Sequence, residues 1–209
     1  MSAAEKEKPK FGPLLTVDGN GKGPKNIFGF WVEFYHRSPA LLVLHFVGAL
    51  IAWFAPGDVL THWSALAEMV ANIGSVFPLL PKAIEKSMFP EVTALYFSLM
   101  MVAMPLRVFE VLRLCYAERD RIVSGYSDFS WKRKIFMFIG SLLFLWVSIF
   151  LTFFHGQYFE WNFMSIGRSR FWLGMAGPLF AGGYLVICFV VSVVAILSLL
   201  CCVFIHNRR

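Results

Sequence analysis

Five histidines, His36, His45, His62, His155 and His206, have the widest chemical range in this sequence. Two imidazoles on neighbouring helices at matching depth can hold a b-type haem. His36 and His206 fall near one end of the apolar segments, and His62 and His155 near the other. Histidine sits comfortably at such ends without a ligand. His45 alone lies well inside an apolar run, and no other segment offers an imidazole at its depth. The reading is a bundle-facing, hydrogen-bonding His45. A haem b-binding membrane anchor of a redox enzyme is the alternative.

Other chemistry has less support. The chain has no H-E-x-x-H or G-x-S-x-G motif, and no paired acids of the kind phosphate transfer at a membrane surface needs. Ser124, Gly125, Tyr126 and Asp128 have no histidine beside them, and turn chemistry explains them. Cys115, Cys188, Cys201 and Cys202 match no zinc or redox spacing. Charges inside spans mark ion and proton pathways. Here Glu91 falls at a helix end, Glu33 and Glu110 are interfacial, and no span has an acid or base at its centre. The sequence thus predicts a non-enzymatic protein without cofactor or metal.

Two patterns point to contact with other proteins. Gly177 and Ala181 are four apart, which puts both on one face of a continuous helix and lets a second helix approach closely. Segment 156–171 combines Trp161 and other aromatics with Arg168 and Arg170. Aromatic side chains with arginine are the composition of contact hot spots and also of an ordinary aromatic belt.

The elements that carry these residues are apolar. Of 209 residues 58% are hydrophobic and 15% charged, and mean hydropathy is +0.65. A soluble domain carries about 25% charged residues. Residues 1–26 hold five lysines with scattered glycine and proline, and read as a flexible basic cytoplasmic tail. Ser38-Pro39 reads as a helix start, with serine as cap. Pro90-Glu91 reads as another. Four spans follow, at about 39–55, 90–107, 135–154 and 184–205. Residues 171–183, rich in Gly and Pro, read as a kinked or partly re-entrant approach to the last.

Between the first two spans, Trp63, Leu66, Val70, Ile73, Phe77 and Leu80 recur at helical spacing, with Ser64, Glu68, Asn72 and Ser75 on another face. This predicts one amphipathic helix, disturbed at Pro78, on the outer side. Beyond Arg107 the second span continues amphipathically through Glu110 and Arg113, with those charges on a solvated face.

Lys and Arg set the orientation. With both ends inside, 1–37, the basic loop 107–134 and the last two residues hold 15 of them, against 4 outside: Lys82, Lys86, Arg168 and Arg170. The basic residues flank apolar runs, which points to lipid headgroups and excludes nucleic acid as the partner. The expectation is all-α: an integral, multi-pass four-helix bundle of a cell inner membrane, with an extra amphipathic helix outside and cytoplasmic termini. Its partners are the bilayer and either another membrane protein or a second copy. Its function is recognition, as an accessory subunit of a secretion- or conjugation-type assembly or as an exclusion or immunity protein.

Overall fold

The computed structural model describes residues 27–155 and 163–206. The expected tail 1–26 and Trp161 lie outside the described residues. Eleven helices run in order among them: α1 (Ile27–Arg37), α2 (Pro39–Phe54), α3 (Val59–His62), α4 (Ser64–Val76), α5 (Leu79–Lys86), α6 (Pro90–Val102), α7 (Met104–Ala117), α8 (Arg119–Ser127), α9 (Trp131–Phe150), α10 (Arg170–Pro178) and α11 (Tyr184–His206). π-helical turns extend α9 over Leu151–His155 and join α10 to α11 over Leu179–Gly183. The described residues form no strand element.

Proline punctuates the chain. A residue before proline is pushed out of the helical region. Ser38, Phe77 and Phe89 accordingly take φ/ψ of −131/77, −116/94 and −134/70, and helices break there. Pro39 and Pro90 open α2 and α6 as expected. Ser38 does not cap α2; its hydroxyl donates instead to Glu110 Oε2 at 2.7 Å. Pro105 sits in the first turn of α7, where proline is tolerated, and Pro178 is the last residue of α10. The first accompanies a 51° bend between α6 and α7, and the second precedes the break between α10 and α11.

The expected single amphipathic helix at 60–81 is instead α3, α4 and α5, with α4 and α5 folded back at 118° across Phe77-Pro78. Val70 and Leu80 are buried, and Ser64, Glu68, Asn72 and Ser75 are exposed. Trp63, expected on the buried face, is 64% exposed, because it sits at the α3–α4 junction and leaves the helical register. Val70→Asp buries an unpaired charge and is expected to cost about 3 kcal/mol or more. Glu68→Gln is expected to stay within about 0.5 kcal/mol. Thermal unfolding of both variants in detergent checks the order; a larger loss for Glu68→Gln would mean that carboxylate has a partner.

The main core gathers α2, α5, α6 and α10 around Tyr96, Phe97, Met100, Leu79, Leu80, Ile166 and Leu173. A second unit is the pair α9–α11, joined by hydroxyls: Thr152 Oγ1 meets Tyr184 Oη at 2.7 Å, and Ser192 donates to the Ser141 carbonyl at 2.8 Å. The rest of α9 is outward and apolar, with Phe136, Leu143, Phe144, Trp146 and Phe154 more than half exposed.

Trp131–His155 and Arg170–Cys201 are long and apolar enough to cross a membrane; counting each bent pair as one span raises the number to four. One bent pair is α6–α7 and the other α4–α5. α2, expected as a span, is apolar but has 16 residues, about 24 Å of helix.

Candidate functional site

The polar groups of this fold gather where two helices are broken. Gly182 has φ +78, a left-handed conformation that favours glycine, and Ala181 beside it is non-helical at φ −79, ψ 61. The carbonyls of Pro178 and Ala181 flank this break. Buried backbone acceptors need donors. Arg107 supplies them: Nη1 donates to Ala181 O at 2.8 Å and to Met100 O at 3.4 Å, and Nη2 donates to Pro178 O. The side chain is 5% exposed.

Arg107 reaches this place because it continues a stripe. Tyr96, Met100 and Arg107 are four and seven residues apart, close to one face of the α6–α7 segment, and Tyr96 and Met100 are fully buried. The solvated face expected for Arg107 and Glu110 is therefore corrected: both are buried. Glu110 turns the other way. It accepts from Ser38 and from Arg113 Nη2, each at 2.7 Å, while Arg113 also donates to the Arg37 carbonyl at 2.8 Å. Arg37 pairs with Glu118 at 2.6 Å and Glu33 at 3.0 Å. The network ties the α1–α2 junction to α7 and leaves Glu110 committed.

Within electrostatic range of Arg107 are Tyr35, His45 and Tyr96. Tyr35 Oη and His45 Nδ1 lie 2.8 Å apart, so His45 is the hydrogen-bonding residue the sequence indicated. Tyr96 is clamped between small residues: a Cβ added at Gly177 would stand 2.6–2.7 Å from its ring and hydroxyl, and one at Gly48 3.1 Å from its ring. Among the described residues, His45 Nε2 and Tyr96 Oη are buried without a hydrogen-bond partner.

Gly177 and Ala181 do lie at close approaches, but inside this chain. Both are buried, and the break at Ala181 and Gly182 means they share no continuous helix face. Arg170 is also used internally, donating to Ala55 O at 2.8 Å and lying over the Phe89 ring. Arg168 is exposed. Glu91, expected to serve its own helix start, accepts from the Leu60 and Thr61 amides at 2.6 and 3.1 Å and so caps α3. Sequence reasoning missed Arg107 and Tyr96. The usable signals were the stripe through 96, 100 and 107, and the Pro-Gly break at 178–183. Among the described residues no cluster of three or more His, Cys, Asp or Glu is placed to hold a metal.

This is an all-helical chain with apolar helices that could cross a membrane. Comparison with protein-family models, curated proteins and solved structures finds no match.

Proposed function

We propose that this chain is a four-span protein of a cell inner membrane that acts by recognising another membrane protein, with no catalytic step of its own. It serves either as an accessory subunit of a secretion- or conjugation-type assembly or as an exclusion or immunity protein. The supporting observation is the outward face of α9. Trp146, Phe150 and Phe154 stack one turn apart, with ring centroids at 5.7 and 6.1 Å and planes within 10° and 17°. Tryptophan in a lipid-facing helix belongs at the headgroup level. Trp146 instead lies near the middle of the uncharged run 135–154 and is 64% exposed. A flat aromatic ladder at that depth suits contact with another helix, where aromatic side chains dominate binding.

A photo-crosslinking side chain in place of Phe144 or Trp146 is expected to capture one discrete protein in the native membrane. The same probe at Glu68, on the polar face of α4, is not. Capture of lipid alone from α9 would sink the reading. The 15-to-4 division of basic residues supports cytoplasmic termini. Single cysteines at positions 60 and 160 should then label from outside, and one at position 125 only from within. Labelling of position 125 from outside would overturn that orientation. A Soret band in the purified protein would favour the haem anchor instead.

A further inference from the structure

The buried cluster around Arg107 has more donors than acceptors. A guanidinium carries five N–H groups and cannot be deprotonated in a protein. Three of the five go to the Met100, Pro178 and Ala181 carbonyls, which leaves two. Carbonyls are neutral, so the charge itself is not matched. No carboxylate pairs with Arg107 among the described residues, since Glu110, one turn on, is held by Ser38 and Arg113. Tyr96 Oη brings a hydroxyl without a partner in a fully buried side chain. It lies against Gly177, whose neighbour Pro178 carries the carbonyl that Arg107 holds. His45 Nε2, on the ring whose Nδ1 lies 2.8 Å from Tyr35 Oη, is also buried and unpartnered. A buried charge is costly unless it is paired.

The geometry points to a small inorganic anion, of the halide class, held by Arg107 and Tyr96. Water would meet the orphan donors but leave the charge unmatched. A metal cation would be repelled by the guanidinium. A phospholipid headgroup is too large for a cluster whose Tyr96 and Met100 are fully buried and whose Arg107 is 5% exposed. The anion would close the polar centre of the fold, independently of any partner docked on α9. Loss of the α9 contact would leave it intact.

The full chain, purified in detergent, can be unfolded thermally in sodium chloride or bromide and in sodium gluconate at equal ionic strength. The unfolding midpoint is expected to rise saturably with halide and not with gluconate. Tyr96→Phe keeps the ring and its packing but removes one hydrogen bond to the anion, and should weaken apparent halide affinity at least about tenfold. Arg168→Gln, at an exposed arginine, should leave the response unchanged. Arg107→Lys also loosens the contacts to the Pro178 and Ala181 carbonyls, so Tyr96→Phe carries the test, with bromide anomalous scattering as the direct readout. Equal midpoints in halide and gluconate would overturn the proposal, as would an undiminished halide response in Tyr96→Phe.

Discussion

Gly177→Leu is expected to destabilise the chain by about 3 kcal/mol or more. Even the first added carbon would stand 2.6 Å from the Tyr96 ring, and Tyr96 is fully buried with Gly48 on another side. The ring has nowhere to go without moving α2 or α10. Gly177→Ala should show a smaller loss of the same sign. Gly140 in α9 makes the contrast, because a Cβ there meets nothing within 4 Å. Gly140→Ala should therefore stabilise the helix by about 0.5–1 kcal/mol. Thermal unfolding of the three variants in one detergent checks the pattern. A silent Gly177→Leu would mean that α10 does not pack on α6 as described.

Arg107→Met should cost about 2–5 kcal/mol. Replacing a buried charge with an apolar side chain is often neutral when its partners are replaced too. Here they are backbone carbonyls of Pro178 and Ala181, which remain when the guanidinium is gone. Arg119→Gln, at an exposed surface pair with Asp120, should stay within about 0.5 kcal/mol. Protease sensitivity should rise at the loosened 178–183 turn in Arg107→Met and not in Arg119→Gln. Equal stability of Arg107→Met and the parent chain would remove the latch between the two broken helices.

Local chemistry made much of this fold legible. The prolines at 39 and 90 begin helices because the residue before each is forced out of helical conformation. The uncharged run after Lys134 is helical throughout, and the Gly-Pro cluster at 174–183 does contain a break. What could not be read was which charges turn inward. Arg107 and Glu110 lie three apart and look like one solvated pair in sequence. Their partners, Ala181 and Ser38, are 74 and 72 residues away, so only the packed arrangement separates them. The Gly177–Ala181 face failed for a similar reason. Helical spacing assumes continuity, and the left-handed Gly182 ends it. Trp63 left its stripe because the helix restarts beside it, at a boundary that no proline or glycine marks.

The Arg107 latch also imposes a timetable. Its two carbonyl partners across the break lie 71 and 74 residues downstream. A ribosome adds about 5–20 residues each second, so some 4–15 s separate synthesis of the arginine from synthesis of the groups that satisfy it. Through that interval α6 and α7 exist with a cation that cannot yet be enclosed, and α9 must be made before relief arrives. The first half of the chain is thus an unfinished object during its own production. It has to be held with Arg107 still hydrated until the last two helices appear, and a nascent chain stalled after His155 has no means of completing its own interior.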